Sequence, residues 1–348
     1  MKIDIVGSDA TLSFNSDAGA RILYEGLESI PSLPYECATG TCGSCKAKRI
    51  SGDFAWVWPD APARKDLKTA DDFLLCQCEA TSDLKAEVRA KLNAPQAVNL
   101  CANWYDAQII ASENVAPGVM CFSVKLGQTT SFVPGQFMVL EFEGIVGGRA
   151  WSMTNFAEKT DVLDFVIKKK PDGALSDFIF AQQSVIGLKA RVFGPLGRAV
   201  YQQALNKDIL CIAGGSGVAG MMSILSAFVH FESFKKNKAN LFFGVRTTAD
   251  AFFLKELSEL VVQAAGAMRV VIALSDAPAT PELIAQYPHL QFGQGFVHDV
   301  AIQHMDGQFT PNTRAFLAGP PPCVNSAMRT LLMQAKLPAT EILYDKFN

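Results

Sequence analysis

Histidine is scarce in this chain of 348 residues: His230, His289, His298 and His304 are all there is. They show no metal-ligand spacing and join no His–Asp–Ser constellation, so zinc-dependent hydrolysis and triad chemistry lack their residues. His298-Asp299 is read as structural. No extended basic run and no low-complexity segment occurs, and the formal net charge is −3, which argues against a nucleic-acid partner. A secretory leader is not evident, and nine cysteines, an odd number, argue against a disulfide framework. The stretch Ile209–Phe231 lacks Asp, Glu, Lys and Arg and is long enough to cross a bilayer. Its middle, Gly214-Gly215-Ser216-Gly217-Val218-Ala219-Gly220, reads instead as strand, glycine turn and helix. A cytoplasmic, monomeric protein without a membrane span is therefore expected. Hydrophobic residues make up 49% of the chain, enough for two or three domains with real cores.

What is present is a cysteine cluster. Cys37, Cys42 and Cys45 fall within nine residues, and Cys76 follows after 30 intervening positions. Cys-x4-Cys-x2-Cys with a distant fourth cysteine is the ligand spacing of a plant-type [2Fe–2S] cluster. The small residues between the ligands, Gly40, Thr41, Gly43 and Ser44, let a loop wrap closely around two irons and two sulfides. A structural zinc site favours two close pairs, whereas three of these cysteines are together and one is alone. The fourth ligand is ambiguous on residues alone. Cys78 lies two positions beyond Cys76, and on a strand both would face one side. The remaining Cys101, Cys121, Cys211 and Cys323 are scattered, as reduced thiols are.

Along the chain, Ile3 and Ile5 followed by Leu12 and Phe14 suit a hairpin, and a helix is expected over Ala20–Leu27. Lys85–Leu92 reads as the closing edge of the first unit, and Asn93–Asn103 as a linker. Strands are expected at Ala107–Ile110, Met120–Lys125, Gln136–Phe142, Leu163–Lys168 and Ala190–Phe193, the pattern of a small antiparallel barrel. From about Lys207 the pattern changes. Strands at Ile209–Ala213, Asn240–Val245, Val270–Leu274 and Arg314–Leu317 alternate with helical segments 220–233, 250–265 and 322–335, which implies a doubly wound parallel sheet. The fold class is thus multidomain, α+β, β and α/β in order, with units at 1–95, 103–203 and 206–348.

Several motifs resemble known families. Residues from about Met1 to Leu92 resemble a plant-type ferredoxin of β-grasp fold. In such proteins the fourth ligand follows an apolar pair and precedes Ser-Asp, and Leu74-Leu75-Cys76 with Ser82-Asp83 fits Cys76. Arg149-Ala150-Trp151-Ser152 resembles the Arg-x-Tyr-Ser flavin motif of the ferredoxin–NADP reductase superfamily, whose flavin barrel has six strands. The chemistry is coherent, with a guanidinium for a diphosphate, an indole for a planar ring and a hydroxyl for a ring nitrogen. Lys168-Lys169-Lys170-Pro171-Asp172-Gly173-Ala174-Leu175-Ser176 resembles the turn that brings a helix N-terminus to the flavin phosphates, with Gly173 and Ser176 carried over. Gly194-Pro195-Leu196-Gly197 resembles a further turn of that family. Gly214-Gly215-Ser216-Gly217 and Gly319-Pro320 resemble its nicotinamide lobe, with departures at Gly220, Ala318 and Cys323, where relatives have proline, cysteine and methionine. Arg246 falls where the adenosine ribose would lie. NADH is favoured over NADPH, since many NADH-using relatives carry arginine there. Phe347 is the candidate for the near-terminal aromatic that covers the flavin, and with Ser152 forms the expected catalytic pair.

The order of the three units, Trp58-Pro59-Asp60-Ala61-Pro62 and the ending Tyr344-Asp345-Lys346-Phe347 resemble the reductase components of bacterial multicomponent aromatic and alkene monooxygenases, the toluene-4-monooxygenase reductase type. That resemblance implies electron flow from NADH to FAD to the [2Fe–2S] cluster, and on to an oxygenase hydroxylase component or a Rieske-type ferredoxin. Reductases of Rieske dioxygenases and of deoxysugar dehydratases share the domain order. A non-enzymatic carrier or zinc-bound interaction protein is the reading from another class, distinguished by the absence of flavin and iron–sulfur colour.

Overall fold

The computed structural model describes residues 1–94 and 102–346 of the chain. Alternating apolar residues build the first sheet. In β1 (Lys2–Val6) and β2 (Thr11–Asn15), Ile3, Ile5 and Phe14 turn inward and the strands pair antiparallel. Helix α1 (Ile22–Ser29) buries Ile22, Leu23, Tyr24 and Leu27. After the cysteine loop come β3 (Lys46–Ser51), β4 (Phe54–Trp56), β5 (Asp72–Leu74), β6 (Cys78–Ala80) and β7 (Leu84–Val88). The sheet order is β2-β1-β7-β3-β5, while β4 and β6 form a separate ladder.

Two expectations are corrected. The segment after Leu84 is no edge: β7 is the middle strand, parallel to β1 and antiparallel to β3. Its buried Leu84, Ala86 and Val88 alternate with exposed residues, a pattern that central and edge strands of a one-sided sheet share. Cys76 does not share a strand with Cys78, because it lies in a single 3₁₀ turn, Leu75–Gln77.

The second sheet holds β8 (Asn103–Ala116), β9 (Val119–Thr130), β10 (Phe137–Phe142), β11 (Arg149–Ser152), β12 (Thr160–Lys168) and, after α2 (Ala174–Ala181), β13 (Lys189–Leu196). Its order is β11-β10-β13-β8-β9-β12, antiparallel throughout. The end strands β11 and β12 come together without forming a ladder, so the sheet curls into a barrel around Phe122, Met138, Leu140, Leu163 and Phe165.

The third sheet is wholly parallel, in the order β17-β16-β15-β14-β18-β19. Its strands are β14 (Asp208–Gly214), β15 (Ala239–Val245), β16 (Met268–Leu274), β17 (Gln291–Gln294), β18 (Thr313–Gly319) and β19 (Ile342–Lys346). Successive residues of β14 serve opposite faces. Ile209, Cys211 and Ala213 pack with α3 (Val218–His230) and α4 (Leu254–Gln263). Leu210 and Ile212 pack with α6 (Val297–Met305) and α7 (Pro321–Met333). A short α5 (Pro281–Gln286) precedes β17. The uncharged stretch from Ile209 is therefore a buried strand, a turn and a buried helix, and among the described residues no helix is long and apolar enough to cross a membrane.

The first unit is docked on the barrel through a specific interface. Tyr24 stacks on Phe193 with ring centres 4.0 Å apart and planes inclined by 8°, and Trp104 packs beside both. Arg198 donates to the carbonyls of Pro31 and Leu33, and the Gly197 N–H donates to the Tyr35 hydroxyl at 3.1 Å. Arg21 and Glu141 form an ion pair with side chains only 11% and 21% exposed. Glu141→Ala would leave the Arg21 charge buried and unpaired, and a loss of about 3 kcal/mol is expected. Urea unfolding followed in the first unit measures it. The double replacement Arg21→Met with Glu141→Leu should recover most of the loss, and a single variant with the wild-type midpoint would show that the pair contributes nothing.

Candidate functional site

The cysteine loop is shaped by residues with left-handed backbone. Ala38, Gly40 and Gly43 have φ of 56°, 79° and 77°. At Gly40 a side chain is excluded twice over, since a Cβ would stand 2.6 Å from Gln77 Cγ. The loop and the Leu75–Gln77 turn deliver four sulfurs in two pairs. Cys45 and Cys76 are buried with sulfurs 3.2 Å apart. Cys37 and Cys42 are half-buried, and a hydrogen bond from Cys42, followed by one from Thr39, holds the Cys37 thiol well below its usual pKa. Backbone N–H groups also point at sulfur, Thr39 to Cys37 at 3.3 Å and Ser44 to Cys42 at 3.5 Å.

Among the described residues no three His, Cys, Asp or Glu side chains converge as a single-ion site requires. Two sulfur pairs with amide donors suit a centre of two irons, each needing two thiolates and each sharing bridging sulfides, and the residues fit that group. Cys78 stands apart. It opens β6 opposite Trp56, is fully buried, and burial pushes its thiol up.

The barrel's candidate residues lie on β11 and around α2. Arg149 is half-buried. Its Nη1 donates to the carbonyls of Gly147 at 3.2 Å and Gly148 at 2.9 Å, and its guanidinium carbon lies 5.0 Å from the centre of the Trp58 ring. Trp151 turns to the barrel core, edge-on to Phe122 at 5.7 Å and Phe142 at 6.5 Å. Ser152 is buried and faces α3, where a Cβ on Gly220 would stand 3.5 Å from its Oγ. A Cβ at 220 would make ordinary contact with this serine. Gly173 is the N-cap of α2 and has no room for a side chain, since a Cβ would meet Ser176 Oγ at 2.6 Å. The Ser176 hydroxyl closes the turn, donating to Gly173 O at 2.9 Å and Lys170 O at 3.1 Å. Lys168 is exposed at the end of β12.

In the parallel sheet the strand order reverses between β14 and β18, and ligands of such sheets bind outside the carboxyl ends at that point. Both glycine turns are there. Gly215–Gly217 forms a 3₁₀ turn leading into α3. A Cβ on Gly217 would stand 2.5 Å from the Ala318 carbonyl, and one on Gly319, at φ 139°, 2.9 Å from the Gly214 carbonyl. Backbone thus packs directly on backbone at both turns. Pro320 caps α7. Cys323, in the first turn of α7, brings its sulfur to within 2.9 Å of where a Gly214 Cβ would be. Arg246 is exposed after β15 and donates to Asp276 at 2.9 Å. Asp345 on β19 is paired in register with Ala318, and burial, then the facing Glu36 beside Cys37, push its carboxyl up to about 7. Phe347 lies outside the described residues.

Two clefts flank the barrel. One, of about 510 Å³, separates β9 and β12 from α3 and α4, and the other, of about 930 Å³, separates Arg21 and Val57 from the barrel. Neither is lined by Arg149, Trp151, Ser152 or the glycine turns, whose chemistry is carried by strand ends and turns. Sequence reasoning quoted Trp58 but gave it no role, and missed Tyr35, Arg198 and Asp276. Only the aromatic character of Trp58 and Tyr35 was a signal, because the partners come from distant parts of the chain.

Known proteins divide the chain in the same order. Residues 5–81 match the 2Fe-2S iron-sulfur cluster binding domain, 106–201 the oxidoreductase FAD-binding domain and 211–329 the oxidoreductase NAD-binding domain. The ferredoxin–NAD(+) reductase component of the alkene monooxygenase system of Xanthobacter autotrophicus is 32% identical over 343 residues, covering 96% of this chain and 98% of that protein. The chain belongs to the ferredoxin–NAD(P)+ reductase components of multicomponent oxygenase systems. The reductase component DmpP of phenol 2-monooxygenase from Pseudomonas sp. is 29% identical, covering 94% of this chain and 90% of that protein. Among solved structures, the ferredoxin reductase in carbazole 1,9a-dioxygenase superposes with a TM-score of 0.79 at 28% identity, covering 100% of this chain and 99% of that one. The reductase is an oxidoreductase in which FAD and a [2Fe–2S] centre link a nicotinamide cofactor to an electron acceptor.

The sulfur pairing leads to a direct test of the ligand set. Cys76→Ser is expected to remove or severely destabilise the cluster, whereas Cys78→Ser keeps it. Iron content and the EPR signal of the reduced centre decide between them, and equal loss in both variants would sink the assignment.

Proposed function

We propose that the reductase takes electrons from NADH and delivers them singly to an oxygenase hydroxylase component or Rieske-type ferredoxin of a diiron monooxygenase system, as a cytoplasmic monomer built of units 1–95, 103–203 and 206–348. The observation that carries this reading is β11. Its Ser152 faces α3, which starts from the glycine turn at the sheet's reversal, and its Arg149 touches the unit that carries the cysteines. The seats for nicotinamide, flavin and cluster therefore meet around one strand.

Nicotinamide supplies two electrons together, flavin takes them as a pair and can pass them on one at a time, and the cluster carries one. The chain's own residues hold and orient. Cys37, Cys42, Cys45 and Cys76 ligate iron as thiolates, with Thr39 and Ser44 amides stabilising the sulfur charge. Arg149 pairs with the FAD diphosphate, assisted by the α2 N-terminus at Gly173 and Ser176 and by Lys168. Ser152 would hydrogen-bond the ring system from the α3 side, and Trp151, expected beside the ring, is turned to the barrel core. The amides of Gly214, Gly215, Ser216 and Gly217, with Gly319 and Pro320, admit the dinucleotide diphosphate. Phe347, outside the described residues, is the candidate that would cover the flavin. A reductase of a Rieske dioxygenase system is the second reading, favoured by the carbazole 1,9a-dioxygenase structure, which matches along its whole length.

Two experiments test the roles. Arg149→Ala is expected to weaken FAD by at least ~100-fold, about 3 kcal/mol, because a diphosphate loses its charge partner. FAD retained through dialysis at wild-type stoichiometry would refute it. The preference for NADH is supported by Asp276, whose carboxylate sits on Arg246 and would repel a ribose phosphate. Steady-state kcat/KM should favour NADH, and Asp276→Ala should narrow the preference roughly tenfold. A wild-type reductase faster with NADPH would overturn the choice of donor.

A further inference from the structure

Arg149 poses an electrostatic problem. Its guanidinium is half-buried, and burial pulls its pKa below the usual arginine value. Arginine keeps its charge in proteins, so the charge must be compensated. Among the described residues no carboxylate forms an ion pair with it. What it has are the carbonyls of Gly147 and Gly148 and the face of Trp58.

Trp58 comes from the cysteine-bearing unit and is tightly seated. A Cβ on Gly147, at φ 78°, would stand 2.5 Å from its ring. Its own segment is fixed from the other side. Val57 N–H donates to Gln77 O at 2.9 Å, Ala61 N–H to Trp58 O at 3.2 Å, and Arg64 to Pro59 O at 2.6 Å. The same segment is tied to the cysteine loop, through Ala63 N–H to Gly40 O at 2.9 Å. One short stretch of chain thus contacts both the cluster loop and the flavin arginine.

We infer that Trp58 is a positioning residue of the FAD site, holding the Arg149 guanidinium by its ring face for the FAD diphosphate. The inference rests on the reading that Arg149 binds this diphosphate. An aromatic face suits the task better than an acid would. It orders the guanidinium, which lowers the ordering cost on binding, yet leaves the positive charge un-neutralised for the incoming anion. A consequence is reciprocal linkage: FAD binding and seating of the iron–sulfur unit on the barrel favour each other through this contact.

The test is a double-mutant cycle on the full-length chain. FAD is titrated into FAD-free protein that retains its cluster, and binding is followed by flavin fluorescence. Trp58→Ala is expected to weaken FAD about tenfold, and Trp58→Phe to restore most of it. In an Arg149→Ala background, Trp58→Ala should have no further effect, since its action runs through the arginine. Unchanged FAD affinity in Arg149→Ala would refute the parent reading. A looser Arg149→Ala with unchanged Trp58→Ala, or the same tenfold loss from Trp58→Ala in both backgrounds, would overturn the present inference alone. If Trp58→Ala fails to fold or loses iron, Trp58→Phe against Trp58→Leu carries the test. The aromatic variant should bind about tenfold tighter, and equal affinities would overturn the inference.

Discussion

Electrons must cross between separately folded sheets in this reductase, and the contact on which that depends is the packing of α1 and the cysteine loop against the barrel. Interfaces between domains of one chain default to relative motion unless they are large and apolar. This one is fixed by Tyr24 in two directions. Its ring stacks on Phe193 of β13, and its hydroxyl donates to the Ala38 carbonyl at 2.9 Å, inside the loop that carries the ligands. One side chain therefore transmits the position of the barrel to the cysteine loop. The Arg21–Glu141 pair and the Tyr35–Gly197 bond surround it with contacts whose loss would leave buried polar groups unpaired.

The burial of the sulfur pairs has a direction. Cys45 and Cys76 are on the buried side and Cys37 and Cys42 on the half-exposed side. A centre held between them is shielded on one flank and approachable on the other, the asymmetry an electron carrier needs if it is to be filled from within and emptied by a partner. The fully buried Gln77 lies against Gly40 with neither amide atom hydrogen-bonded to protein. Its packing, together with the left-handed glycines, is what keeps the loop closed over small residues.

Much of this was legible in the sequence, for physical reasons. Cysteine spacing is local, so the ligand loop could be read directly. The switch from period-two runs to alternating strands and helices after Lys207 marked the change from barrel to parallel sheet, and the β14 turn was visible in its glycines. Short or polar elements escaped. β17 has one large apolar residue, Phe292, and β19 lies at the chain end. β7 read as an edge because strand order is not a local property: its partners β1, at the start of the first unit, and β3, in its middle, are both distant in sequence. Strand parity could not choose between Cys76 and Cys78, and the single 3₁₀ turn that holds Cys76 leaves no periodic trace. Trp58, Asp276 and Tyr35 could not be assigned roles, since each acts on a partner in another unit or strand.

The arginines of this fold differ in what compensates their charge. Arg21, Arg246 and Arg314 each have a carboxylate, from Glu141, Asp276 and Glu341. Arg198 and Arg149 share a different pattern, two carbonyls and an aromatic face, with Tyr35 4.7 Å from the Arg198 guanidinium carbon. The difference lies in whose carbonyls they are. Arg198 bonds Pro31 and Leu33 of another unit, so moving it would break a clamp and strand those acceptors. Arg149 bonds Gly147 and Gly148, its own immediate neighbours, in a loop that reaches the rim of a solvent cleft. Water can take over such acceptors at little cost. Arg198 is therefore committed to holding the units together, while Arg149 can exchange its two carbonyls for an anion and keep the Trp58 face as its one link to the other unit.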